Sequence, residues 1–167
     1  MYLDRNKEEI LSRLEQKAGD YEELFGSCAQ GTLLALQEEF HLGNREVLKA
    51  ATAMPGIALR GETCGAVIGA IMALGLAFGR ERAEDFVAVQ RTTGAARKLC
   101  RLFEQEMGGC NCRDVQHKIF GKSFNLADQT DQKEFIRADA SKKCRLPAGK
   151  AARIAGELIL EGLEIKA

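Results

Sequence analysis

The chain has 167 residues, with 24 basic and 24 acidic side chains and a formal net charge of zero at pH 7. A chain of this length can bury a core without covalent staples and reads as one domain over residues 1–167. Its charge balance excludes the global basic field that sequence-independent nucleic-acid binding requires.

The opening run from Met1 to Ile10 has no apolar signal segment, so a reducing cytoplasm is the expected compartment. There, six cysteines are expected as metal ligands, redox groups or buried thiols rather than as a permanent disulfide framework. Apolar residues recur at helical spacing almost everywhere, without sustained two-residue alternation. This predicts an all-α protein, a compact bundle of about six to seven helices around a Gly/Ala-rich central helix.

A first helix is predicted over residues 4–17, with Ile10, Leu11, Leu14 and Ala18 on one side and Gly19 ending it. A second follows over 20–41, where Leu24, Cys28, Gly31 and Ala35 form a seam and Gly43 stops the chain. Asn44 caps a short helix from Arg45 to Ala53, and Met54-Pro55-Gly56 marks a turn before a loop to Cys64. From Cys64 to Gly79 no side chain is charged. As a helix that run would measure about 24 Å, short of the roughly 30 Å hydrocarbon core, so it reads as a fully buried central helix and not as a membrane span. Gly61, Gly65 and Gly69 recur at four-residue intervals and offer one edge of bare backbone to a close neighbour, either within the chain or in a homodimer.

A helix over 84–107 presents Val89, Thr93, Ala96, Cys100, Phe103 and Met107 on one face and ends at Gly108-Gly109. Asn111 caps a short helix beginning at Cys112, and a loop over 121–131 precedes a helix over 132–145 with Pro147 just beyond it. A last amphipathic helix over 148–163 shows Ile154, Leu158, Ile159 and Leu163. Residues 1–40 hold nine acids against four bases, and residues 113–153 hold ten bases against five acids, so the two regions attract.

The thiolate is the reactive form of cysteine, and helix N-termini and nearby cations favour it. Cys64 has both features, in the first turn of the glycine-rich helix with Thr63 as a cap and Arg60 four residues earlier. Cys112 is similarly placed behind Gly108-Gly109-Cys110-Asn111, beside Arg113, and forms a C-x-C pair with Cys110. Cys144 lies in Lys142-Lys143-Cys144-Arg145, facing inward beneath a cationic cover. Cys28 sits on its helix seam, where an ordinary buried thiol is equally expected, and Cys100 falls on an apolar stripe and reads as core.

The run Gly61-Glu62-Thr63-Cys64-Gly65-Ala66-Val67-Ile68-Gly69, with Cys28-Ala29-Gln30 before it and Cys112-Arg113 and Cys144 after it, resembles the C-GCAxxG-C-C family of redox-active proteins. The resemblance covers about residues 20–160. A related module occurs in split-Soret cytochrome c, beside an iron-sulfur centre. The resemblance implies a redox role and matches Cys28, Cys64, Cys112 and Cys144 to the four family cysteines, leaving Cys100 and Cys110 as extras. No C-x-x-C-H sequence is present, so haem does not carry over.

Four thiolates are the usual ligand set of a 2Fe-2S or 4Fe-4S cluster, and an iron-sulfur module for electron transfer or sensing is the leading expectation, with an unidentified redox partner. The alternatives are a cofactor-free thiol/disulfide oxidoreductase in which Cys64 attacks, structural zinc on four cysteines, and simple packing. Glu38-Glu39-Phe40-His41 contains the E-x-x-H spacing of di-iron bundles. Its only second half is Asp114-Val115-Gln116-His117, and the plainer reading of His41 is a group closing a helix C-terminus.

Overall fold

A computed structural model describes the backbone of residues 2–164. The elements, in chain order, are α1 (Tyr2–Phe25), α2 (Cys28–Phe40), α3 (Arg45–Ala50), α4 (Gly56–Leu59), α5 (Gly65–Phe78), α6 (Phe86–Met107), α7 (Cys112–Phe120), α8 (Gln129–Arg137), α9 (Ala140–Lys143) and α10 (Arg145–Glu164). Among the described residues no strand occurs, and the only extended pairing is one bridge between Thr63 and Asn111. The expected all-α bundle is the fold. Among the same residues, no helix is long and apolar enough to cross a membrane.

The five long helices form the body. α1 packs along α10 and α2, and α5 sits among α2, α6 and α10. α1 and α10 run antiparallel, held at one end by Glu8 with Arg153 at 2.8 Å and at the other by Glu23 with Arg145 at 2.7 Å, with Glu15 and Lys150 between them at 3.1 Å. These pairs are where the acidic N-terminal and basic C-terminal regions meet. They are partly or fully exposed and screened by solvent, so they orient the helices more than they hold them. The core between the helices joins large side chains (Leu14, Leu33, Leu36, Leu74, Leu99, Phe103, Ile159) with a run of fully buried alanines on α2, α5 and α10.

α5 is the close-packed element. A β-carbon on Gly69 would overlap the Ala29 carbonyl, and one on Gly65 would lie 2.6 Å from Cys28 Sγ and 2.9 Å from Pro55 Cα. The bare glycine edge is therefore filled by α2 of the same chain. Gly61 is not part of that edge: it precedes the helix at φ 75°, in the left-handed region. The helix is also less enclosed than its composition implies, since Ile71, Met72 and Leu76 are only partly buried.

Helix boundaries differ from expectation at two places that matter. Gly19 does not end α1, because its missing side chain lets the helix continue while packing beside Arg145, whose Cβ would lie 3.3 Å from a β-carbon on residue 19. The break comes at Gly26, in the left-handed region at φ 62°, and Ser27 then caps α2 by accepting the Gln30 N–H at 3.4 Å. Cys28 is thereby the first residue of a helix instead of a mid-helix seam residue. Likewise Pro147 does not follow a helix ending at 145. It stands in the first turn of α10, where its missing N–H costs no hydrogen bond.

The Ser27 cap yields a test. Ser27→Ala removes an acceptor from the first turn of α2 and is expected to destabilise the protein by about 1 kcal/mol. The check is the denaturant midpoint, with Ser27→Asp, which keeps an acceptor, expected near the wild-type value.

Candidate functional site

The four cysteines of the sequence pattern lie where helices begin. Cys28 is the first residue of α2, Cys64 occupies the cap position before α5, Cys112 opens α7, and Cys144 immediately precedes Arg145 of α10. Thr63 is not the cap of α5. It is held one residue back by the bridge to Asn111. That bridge belongs to a clasp in which the Cys64 N–H donates to the Cys110 carbonyl at 2.8 Å, the Cys112 N–H to the Glu62 carbonyl at 2.6 Å, and the Arg113 N–H to the Gly61 carbonyl at 3.2 Å. The clasp joins the loop before α5 to the loop before α7.

The four thiols lie at one end of the bundle, where Cys28, Cys64, Cys112 and Glu22 act on one another or on Cys144 through their charges. Cys28 and Cys64 are close enough for Cys64 to act on the Cys28 thiol, and the Ala66 N–H in the first turn of α5 favours the Cys28 thiolate. Gln116 Nε2 donates to Cys112 Sγ at 3.4 Å. The charges of Cys28 and Cys112 both act on Cys144. Cys64 is buried and the other three are partly exposed. Glycines leave room beside the sulfurs: a β-carbon on Gly56 would lie 3.6 Å from Cys112 Sγ, and that on Gly65 would press on Cys28.

The expectation that cations favour the thiolates of Cys112 and Cys144 is overturned. The Cys28 thiol is pushed up by its hydrogen bond to Cys64, then by burial and by the charges of Cys64 and Glu22. Burial and the Cys28 charge push Cys112 up to about 12, and burial, Cys28, Glu22 and Cys112 push Cys144 well above the usual thiol range. The basic neighbours are engaged elsewhere: Arg60 with Glu62 at 2.8 Å, Lys142 with Asp139 at 3.7 Å, Lys143 over the Phe120 ring at 5.2 Å, and Arg145 with Asp20 and Glu23. The cover over Cys144 is built of cations that face outward to acids or rings.

Glu22 is the member of this group that was not singled out from sequence. It is 6% exposed, its Oε2 has no hydrogen-bond partner, and burial pushes its carboxyl up to about 8. A signal was present. Leu11, Leu14, Ala18 and Glu22 fall at i, i+3, i+7 and i+11, the buried stripe of α1, so a carboxyl there must point inward.

Other expectations separate. Cys110 does not pair with Cys112; its thiol turns the other way, to Cys100, which is only partly buried rather than part of the core interior. The E-x-x-H residues do not assemble either. Glu38 binds Lys17 and Tyr21, Glu39 binds Arg13, and His41 caps the end of α2 in the left-handed conformation at φ 54°, while His117 lies exposed in the last turn of α7. Among the described residues, no three His, Cys, Asp or Glu side chains form a group that would hold a metal ion.

Comparison with known proteins agrees with the cysteine pattern. The family model described as "Putative redox-active protein (C_GCAxxG_C_C)" matches residues 26–158. No curated protein and no solved structure matches the chain. With the family match running from just before Cys28 to beyond Cys144, the chain belongs to the C-GCAxxG-C-C family of redox-active proteins.

Proposed function

We propose that Cys28, Cys64, Cys112 and Cys144 hold an iron-sulfur cluster, 2Fe-2S or 4Fe-4S, through which the protein transfers electrons or senses redox state. The observation that supports this reading best is that four thiols from four separate segments stand at the starts of four helices and influence one another at one end of the bundle.

The donor set fits such a group in number and chemistry, since four thiolates are its usual ligands. Zinc fits less well. Its bonds to sulfur are about 2.3 Å, which requires all four sulfurs in near contact around a point. Among the described residues, no three ligands converge on such a point. A group with several irons distributes its thiolates over more than one metal centre, so it does not require all four sulfurs around a single point. Such a group supplies one-electron exchange when bound.

The chain's own residues then have defined tasks. Burial and the neighbouring thiols keep Cys28, Cys112 and Cys144 protonated, so ligation must displace their protons, and affinity is expected to rise with pH. The first-turn N–H groups of the helices offset negative charge on the sulfurs. Ala66 and Gln116 donate to the sulfurs of Cys28 and Cys112, the kind of contact that tunes potential. Glycines at 56 and 65 keep β-carbons out of the space beside those sulfurs.

The strong influence of Cys64 on the Cys28 thiol favours a second reading, a dithiol that cycles with its disulfide without a cofactor. Anaerobic purification followed by visible absorption and iron, sulfide and zinc analysis separates the two. The cluster reading expects a coloured protein containing iron and acid-labile sulfide. Colourless protein that remains without iron after cluster reconstitution, and that forms a Cys28–Cys64 disulfide on mild oxidation, would replace it with the dithiol reading.

A further inference from the structure

Cys100 and Cys110 lie outside the four-cysteine pattern, yet the chain is shaped to bring them together. α6 stops at Gly108, which takes the left-handed conformation at φ 81°, and the chain turns back through Gly109. A side chain at 109 would collide with Asp114, whose Cβ and Oδ2 would both lie 2.8 Å from its first carbon. Only a glycine permits this tight return. It places Cys110 Sγ 3.6 Å from the Cys100 carbonyl oxygen, where the thiol donates to it, and near Cys100 and Glu104, one turn further along α6, whose charges act on it. Both cysteines are partly exposed, in contrast with buried Cys64. The position of Cys110 is fixed from its other side as well, because its carbonyl accepts the Cys64 N–H at 2.8 Å.

We propose that Cys100 and Cys110 form a second dithiol centre, reachable from solvent and distinct from the four-cysteine site, which exchanges with small-molecule disulfides. Cys110 Sγ already lies against the Cys100 backbone, so the bond is proposed to close by side-chain rotation with α6 intact. In the forward reaction one thiol loses its proton to solvent and attacks the oxidant R–S–S–R, forming a mixed disulfide and releasing R–S⁻, which takes up a proton. The second thiol, losing its proton in turn, attacks the mixed disulfide at the protein sulfur and releases the other half as R–SH. The sum is two protein thiols plus R–S–S–R giving one Cys100–Cys110 disulfide plus two R–SH, with two electrons passing to the oxidant. This centre requires no cluster and stands whether or not the proposed function does.

The test uses the full chain, reduced anaerobically and then exposed to oxidised glutathione. The reaction is quenched in acid, free thiols are alkylated, and the protein is mapped by mass spectrometry without reduction. The expected result is a Cys100–Cys110 linkage in most chains, retained when Cys28 and Cys64 are both replaced by serine. Cys100→Ser is expected to reduce the linkage to background and to leave glutathione trapped on Cys110. The proposal is overturned if native wild-type protein, its helical circular dichroism intact, keeps both thiols free, carries glutathione separately on each, or links Cys110 to Cys112 instead.

Discussion

Replacing Gly69 with valine is expected to destabilise the protein by about 3 kcal/mol or more, at the upper end of what overpacking costs. The first carbon of any side chain there would overlap the Ala29 carbonyl oxygen and come within 3.2 Å of the Leu33 nitrogen, and both belong to the backbone of α2. A flexible side chain can swing aside, whereas a helix backbone must move as a unit. Relief therefore requires α2 and α5 to separate, loosening the alanine layer between them and shifting Cys28 relative to Cys64. Gly75, six residues further along the same helix, is the control. Nothing lies within 4 Å of the position its β-carbon would take, and Gly75→Ala is expected to stabilise the protein by about 0.5–1 kcal/mol through backbone entropy and helix propensity. Urea denaturation of the two variants would show opposite shifts in midpoint, and equal shifts would mean that the helices are not in close contact at Gly69.

The second large effect concerns Glu22. Its carboxyl is pushed from an ordinary 4.5 up to about 8 by burial. Below pH 4.5 the folded and unfolded chains both hold the proton and Glu22 brings no penalty. Between the two values the unfolded chain releases a proton that the folded chain keeps, so stability falls with each rise in pH, until the folded carboxyl also ionises near 8. At about 1.36 kcal/mol per pH unit, the accumulated loss is on the order of 5 kcal/mol. The raised thiols act in the same direction but only at higher pH, so the window from 5 to 8 belongs to Glu22. In metal-free, reduced protein, Glu22→Gln stays neutral in both states and is expected to flatten the pH dependence and to stabilise the protein by several kcal/mol at pH 8. Parallel stability profiles for variant and wild type from pH 5 to 8 would refute the assignment. A carboxyl that costs this much stability, with an unpaired oxygen and with its charge acting on Cys28, Cys112 and Cys144, is what a functional site retains and a plain core does not.

Helical periodicity, the charge asymmetry and the capping residues were legible because each is a local property. Asn44 accepts the Val47 N–H as a cap should, α6 stops at Gly108, and the acids of α1 meet the bases of α10, whereas Asn111 stands at the cap position of α7 without a side-chain capping bond. Gly19 and Gly26 show where locality ends. Sequence reads Gly19 as a helix terminator and Gly26 as helix interior, whereas Gly19 is a contact glycine beside Arg145 and Gly26 is the true break.

Cys28 changed its meaning with that break. As a seam residue it had a core explanation; as the first residue of α2 it faces the N-terminus of α5. The electrostatics were not legible for a related reason. A run such as Lys142-Lys143-Cys144-Arg145 counts charges along the chain, whereas a thiol responds to charges in space, and here the nearby ones are other thiols and Glu22. Cys110 was misjudged in the same way, because two residues of separation from Cys112 mean less than the reversal at Gly108 that turns it toward Cys100.

The most direct measurement of the central proposal, that four particular cysteines make one site, is the iron and acid-labile sulfide content of six single Cys→Ser variants after anaerobic reconstitution. Serine at 28, 64, 112 or 144 is predicted to abolish or sharply reduce the bound iron, and serine at 100 or 110 to leave it at the wild-type level. Full iron retention after loss of any one of the first four, or its loss on replacing Cys100 or Cys110, would contradict the account.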